Sequence, residues 1–193
     1  MGKSFHRRNL PHLHYDFGIY FITYRLANTI PTDMLRKIHN PERNWDFEKF
    51  KRAFIKYDSL LNNSAAGLYF LSQKNIAEIC RYTLHYPDGN EYTLICYCIM
   101  PNHIHLVFKL LDYNKGISKI MQSIKRISAR KSNLILGKEG KFWQDESYDR
   151  LVRNDVELYF IIRYVLLNPV NAHLVSNWEE WEYTYCNRDY LIL

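Results

Sequence analysis

Two histidines one residue apart, His103 and His105, stand in the run HIHLVF, whose apolar and β-branched residues favour a strand. Alternate residues of a strand share a face, so both imidazoles project together while Ile104 points into the opposite layer. Two imidazoles side by side can hold one divalent ion. The other arrangement open to a lone His-x-His is one solvent-facing ring beside one that satisfies a turn carbonyl. Tyr164 and Asn168 are four residues apart, which stacks a phenol and an amide on one helical face. A phenol is a weak nucleophile at its free pKa of ~10, but a nearby metal or cationic group favours the phenolate, and its phosphate ester is stable enough to be an intermediate. Asn168 can supply a neutral oxygen ligand. Against this stands a core role for Tyr164, because Phe160, Ile161, Ile162, Val165, Leu166 and Leu167 make its helix apolar on most sides. Cys96 and Cys98 precede the histidines, and an even-numbered hairpin loop would put both thiols on the histidine face as a Cys2His2 zinc site. An odd loop would turn them away.

These side chains must be positioned by the elements around them. Residues 1–15 carry Arg7, Arg8 and three histidines without a period and are expected as a basic N-terminal arm. FGIYFITYRL, within residues 16–27, has strand composition. Residues 40–67, with Phe47, Phe50, Phe54 and Tyr57 at helical spacing, are expected as an insertion that is helical in its middle. A helix over 72–85 with Ser72 as its cap precedes a PDGN turn. Strands over 92–99 and 103–111 then form a hairpin around Met100-Pro101-Asn102. A long amphipathic helix over 116–136 places Ile117, Ile120, Met121, Ile124 and Ile127 on one side and Lys119, Arg126 and Arg130 in a basic stripe on another. The stripe is a set of phosphate contacts or a solvated helix face. A short strand over 148–153 and a helix over 155–168, capped by Asn154 and stopped by Pro169, lead to an aromatic and acidic tail over 176–193 packed on the core. The order β-α-β-β-α-β-α is the split arrangement of an α+β, ferredoxin-like antiparallel sheet backed by helices.

The 193 residues fit one domain of ordinary size, and 47% hydrophobic residues with only 7 Gly and 6 Pro exclude disordered, collagenous and disulfide-scaffold classes. Four cysteines and no apolar leader point to a reducing, cytoplasmic setting. No apolar run approaches the ~20 residues of a membrane span. The net charge of +6 suits a polyanionic partner.

Several segments together resemble the HUH single-strand DNA nucleases, and within them the REP-associated tyrosine transposases related to small insertion-sequence transposases. They are YCIMPNHIHLVF at 97–108, the helix over 117–131 with its SIKR core, FWQDESYDRLVRND at 142–155 and YVLLNPVNAHLV at 164–175. FGIYFITYRL at 17–26 and YDSLL at 57–61 also match, so the likeness runs from residue 17 to residue 182. The resemblance implies the HUH fold, with His103 and His105 as paired metal ligands, Tyr164 as nucleophile and Asn168 as third ligand. Tyr148 is the rival nucleophile, with Tyr159 behind it. The resemblance further implies Mg²⁺ or Mn²⁺, a 5′-phosphotyrosine intermediate, and palindromic single-stranded DNA hairpins with a flanking tetranucleotide as substrate. The enzyme would be associated with the nucleoid, with no membrane partner, as a monomer or a homodimer. DNA would cross an exposed face of the sheet, held at its phosphates by Lys119, Arg126, Arg130, Arg7 and Arg8 and stacked on Trp143, Tyr148 or Phe5. Two other classes remain: a non-catalytic nucleic-acid-binding module on the same fold, and a zinc-stabilised interaction domain built on the cysteines.

Overall fold

Strand-forming runs with apolar residues at both parities need cover on both faces. FITYR and HIHLVF are such runs, and they lie side by side. The structure is a computed structural model that describes residues 18–30, 46–63 and 68–191, together with the backbone of 4–8 and 10–14. β1 (Ser4–Arg8) and β2 (Leu10–His14) pair as an antiparallel ribbon, which corrects the expectation of an aperiodic arm. Pro11 lies opposite Arg7 and is tolerated because each strand of a two-stranded ribbon has an unpaired edge. The side chains of Phe5, Arg7 and Arg8 lie outside the described residues.

The main sheet joins β3 (Ile19–Arg25), β4 (Tyr92–Ile99), β5 (His103–Leu110), β6 (Tyr148–Val152) and β7 (Thr184–Cys186) in the order β6-β3-β5-β4-β7, every pairing antiparallel. Four α-helices accompany it among the described residues: α1 (Phe47–Asn62), α2 (Lys74–His85), α3 (Ile117–Leu136) and α4 (Asp155–Asn171). This is an α+β fold. Tyr20, Ile22 and Tyr24 of β3 and Ile104, Leu106 and Phe108 of β5 point to one face, where Ile76, Cys80 and Leu84 of α2 and Ile117, Ile120 and Ile124 of α3 close over them. Phe21, Val107, Cys96 and Cys98 point to the other, against Phe50, Phe54, Tyr57 and Leu61 of α1 and Ile161, Ile162 and Val165 of α4. Helices therefore cover both faces of the central strands, and the expected exposed sheet face for DNA does not exist there.

The segment expected as an insertion contributes α1 to this second layer. Asp46 caps it by accepting from Lys49 N–H at 2.8 Å. Two expected helix ends move. Gln73, not Ser72, is the N-cap of α2, because Ser72 closes a preceding 3-10 turn (Phe70–Ser72). Pro169 lies inside α4 rather than stopping it. It gives up a single ladder bond near the end, and the chain still closes with Ala172 N–H on Asn168 O and Leu174 N–H on Pro169 O, both at 2.9 Å. The tail returns to the core through Trp181, whose Nε1–H donates to Ile99 O at 3.0 Å, and then adds β7 to the free edge of β4.

Candidate active site

β5 carries both histidines on the α1/α4 side of the sheet, each fully buried. Their second ring nitrogens are tied down. Thr23 lies directly opposite His105 in the β3/β5 ladder, and its Oγ1 is 2.8 Å from His105 Nδ1. His103 Nδ1 is 2.6 Å from Asn102 Oδ1, while Asn102 Nδ2 donates to Leu61 O at 2.8 Å. The Asn102 amide is thereby oriented with its oxygen toward the ring, so His103 carries its proton on Nδ1 and keeps a lone pair on Nε2. Burial holds His103 down at about 4 against the opposing pull of Asp58, so it is neutral near pH 7. The two Nε2 atoms meet at 3.0 Å.

Asp58, from α1, completes the cluster. Its Oδ1 lies 3.0 Å from His105 Nε2 and 3.4 Å from His103 Nε2. Its Oδ2 accepts hydrogen bonds from the Tyr164 hydroxyl, from Asn168 Nδ2 at 2.8 Å and from Asn62 Nδ2 at 3.1 Å. Burial alone would raise this carboxyl, but the two imidazoles that face it, His105 foremost, outweigh burial and hold Asp58 well below the usual carboxylate range.

The donor set fits a divalent cation. One atom each from Asp58, His103 and His105 lies within 4.8 Å of the others, and no other such group of His, Cys, Asp or Glu occurs among the described residues. Asn168 Oδ1 is buried without a hydrogen-bond donor and Asp58 Oδ1 meets only the two imidazole Nε2 atoms, without a formed hydrogen bond, an arrangement that is costly unless an ion completes it. The His103 Nδ1 to Asn102 contact also has the form of the outer-shell bond that orients a ligating imidazole.

Tyr164 stands one turn before Asn168 on α4, and both side chains reach the same carboxylate oxygen. The Tyr164 ring packs edge-on against Phe54 at 4.9 Å and against His105 at 6.1 Å. Burial and the adjacent Asp58 charge raise its hydroxyl far above the usual phenol range, with Asn168 opposing, so its proton is retained and directed at Asp58.

The structure thus brings His103, His105, Tyr164 and Asn168 together, and sequence reasoning missed Asp58. YDSLL held the residue, but one carboxylate on an amphipathic helix has no spacing that marks it. Tyr148 lies in the aromatic wall instead, its ring 5.5 Å from both Tyr57 and Phe54. Tyr159 sits at the surface. Lys119, Arg126 and Arg130 are exposed on α3, in the layer on the opposite side of the sheet from the histidines. Trp143 is not a base-stacking platform. It is buried, donates Nε1–H to Ser128 Oγ at 2.9 Å and packs edge-on against Tyr24, held there by its own antiparallel bridge to Leu26.

Cys98 does face the histidine side, opposite His105, as an even loop requires. Its thiol is nevertheless engaged elsewhere, 3.6 Å from Met100 Sδ and 3.5 Å from Thr184 Oγ1, and burial pushes it up to about 12. Cys96 is likewise pushed up by burial. Asp58 from α1 takes the place a thiolate would need, so the Cys2His2 zinc site does not form.

The model of the family described as transposase, IS200 like, matches residues 70–166, which include both histidines and Tyr164 but stop before Asn168. A curated relative from Haemophilus influenzae, named a REP-associated tyrosine transposase, is 26% identical over 114 residues, 54% of this chain and 62% of that protein. The chain thus spans under two thirds of that relative's length. A solved structure of a REP-associated tyrosine transposase bound to a REP hairpin superposes with a TM-score of 0.59 at 16% identity, covering 94% of this chain and 81% of the other, and shares its fold. No helix among the described residues is long and apolar enough to cross a membrane.

Proposed function

This chain belongs to the IS200-like transposase family, and on that premise we propose that it is a metal-dependent single-stranded DNA endonuclease and strand transferase acting at palindromic hairpin sites through a 5′-phosphotyrosine. One observation carries the reading. The hydroxyl of Tyr164 is hydrogen-bonded to the carboxylate whose other oxygen faces the two imidazoles. Any buried hydroxyl needs a partner, but this one is a carboxylate shared with two imidazoles, which sets a proton acceptor beside the metal-ligand cluster.

His103, His105 and Asp58 would hold the ion, with Asn168 Oδ1 as a neutral donor. When bound, Mg²⁺ or Mn²⁺ would polarise the scissile phosphate, and two nitrogen donors favour Mn²⁺ of the pair. Tyr164 Oη attacks the phosphorus. The Oη–P bond forms, the bond from phosphorus to the 3′-oxygen breaks, and the Tyr164 proton passes to Asp58 Oδ2 along the existing hydrogen bond. The leaving 3′-oxygen takes up a proton. The products are a 5′-phosphotyrosine and a free 3′-hydroxyl, and attack of a 3′-hydroxyl on the adduct reverses the step and joins strands without nucleotide hydrolysis. Thr23 and Asn102 keep the two Nε2 atoms aimed at the site.

The hairpin substrate draws support from the solved relative, which is bound to a REP hairpin. Lys119, Arg126 and Arg130, with Arg7 and Arg8, would hold phosphates of the hairpin away from the cleaved bond, since α3 lies across the sheet from Tyr164. The setting would be the cytoplasm, at the nucleoid. A labelled single-stranded hairpin library incubated with Mn²⁺ and resolved on a denaturing gel tests the whole reading. A covalent protein–DNA band that EDTA abolishes is expected. Hairpin retention with no covalent band would instead establish a non-catalytic binding module.

A further inference from the structure

Arg25 closes β3 two residues after Thr23, on the same face, and lies directly opposite His103 in the ladder. Only 3% of it is exposed. Its Nη1 donates to Thr29 Oγ1 at 3.0 Å, and its positive charge acts on the neighbouring Tyr57 hydroxyl. Both partners are neutral. No ion pair joins Arg25 to a carboxylate among the described residues, although Asp58 is the neighbour of Tyr57 in the chain. A second, half-buried cation adds to the positive potential. The Lys125 ammonium is held by Gln144 O at 2.6 Å and Asp145 O at 2.9 Å, and Gln144 N–H donates to Arg25 O at 2.9 Å. A buried guanidinium without an ion-pair partner is destabilising by itself, and its planar fork of donors suits an anion.

We infer that Arg25 is a phosphate-binding residue of the reaction, its guanidinium taking a non-bridging oxygen of the DNA backbone at the cleavage site with the Tyr57 hydroxyl beside it. This rests on the strand-transfer reading of the neighbouring site. The planar fork of Arg matches two phosphate oxygens where Lys offers a point charge. Access to Arg25 and access to the metal ligands are one event. Asp58 and Tyr57 are consecutive residues of α1, and His103 and His105 are as deeply buried as Arg25. Movement of α1 that admits a phosphodiester to the histidines admits it to Arg25 as well.

The test is a neutralisation scan on the full chain. A hairpin recovered from the library is synthesised with a single methylphosphonate at each position around the cleaved bond, and its affinity is measured for the wild type, Arg25→Lys and Arg25→Gln. One position should weaken wild-type binding about 10-fold or more, the usual range for a charge-assisted contact. Arg25→Gln should show that loss with the natural backbone and no additional loss at that position, while Arg25→Lys should retain part of the sensitivity. Without DNA, Arg25→Gln should melt no lower than the wild type, because an uncompensated buried charge has been removed. Undiminished sensitivity of Arg25→Gln at every position, or a wild type indifferent to all of them, overturns the assignment. So does a large drop in melting temperature with unchanged DNA affinity, which marks a structural arginine. Wild-type adduct on the unmodified hairpin is the control. Its absence defeats the strand-transfer reading, whereas its presence without coupling defeats the Arg25 assignment alone.

Discussion

Replacing Asp58 by Asn keeps the shape of the side chain and removes its charge. Asp58 Oδ2 accepts from Tyr164, Asn168 and Asn62, while Oδ1 faces His103 and His105. The amide can place its oxygen toward the three donors and its NH₂ toward the imidazoles, so no donor is left unpaired and the fold survives. What changes is the strength of each bond. A hydrogen bond to a charged acceptor contributes about 1.5–3 kcal/mol and a neutral one about 0.5–1.5, so three such bonds lose roughly 2–4 kcal/mol together. For a chain of this size each kcal/mol moves the melting temperature by about 2–4 °C, giving a fall of about 5–15 °C at pH 7.5 in EDTA. The variant should also form adduct at least about 100-fold more slowly, since it lacks the proton acceptor for Tyr164 and one anionic ligand. Thermal melting by circular dichroism and a time course on denaturing gels measure both. Melting within about 2 °C of the wild type, or adduct at the wild-type rate, would refute the role given to Asp58.

Other outcomes follow from the same contacts. His103→Ala and His105→Ala should each abolish Mn²⁺ binding by isothermal titration calorimetry at concentrations that saturate the wild type, because a site left with one imidazole and one carboxylate is too weak. Metal-free stability should fall as pH drops from ~6.5 toward 4, since His103 titrates at about 4 when folded and near ~6.5 when unfolded. In that window the unfolded chain binds the extra proton, so the loss approaches about 3 kcal/mol at pH 4, and a melting temperature flat over this range would contradict the burial of a neutral ring. Changing Lys119, Arg126 and Arg130 together to Ala should reduce the slope of log affinity against log salt by about 2 if they touch phosphates of single-stranded DNA, and should leave stability within about 0.5 kcal/mol per site. An unchanged slope makes the stripe a solvated face.

The sequence exposes local relationships and conceals the ones that tertiary packing creates. His103 with His105, and Tyr164 with Asn168, are legible because a strand and a helix each place such pairs on one face whatever surrounds them. The order of strands and helices is legible for the same reason. Asp58 stands 45 residues before His103 on a helix whose pattern marks Phe47, Phe50, Phe54 and Tyr57, and nothing local requires its carboxylate to point inward. Arg25 is hidden in the same way, since a basic residue at a strand end is ordinarily exposed. Trp143 shows the reverse error: an aromatic between loop residues suggests a stacking surface until Ser128 is found holding its indole. The basic stripe on α3 is visible from helical periodicity, but periodicity does not say on which side of the sheet the helix packs.

The central claim is that Tyr164 is the nucleophile and that its bond to DNA forms at the Asp58, His103 and His105 cluster. Peptide mapping by mass spectrometry of the adduct formed on a Mn²⁺-dependent hairpin substrate tests it at the level of a single residue. The phosphodeoxyribose mass should fall on Tyr164, vanish in Tyr164→Phe with hairpin affinity kept within a few fold, and persist in Tyr148→Phe. A mass on Tyr148, or adduct still formed by Tyr164→Phe, would contradict the account.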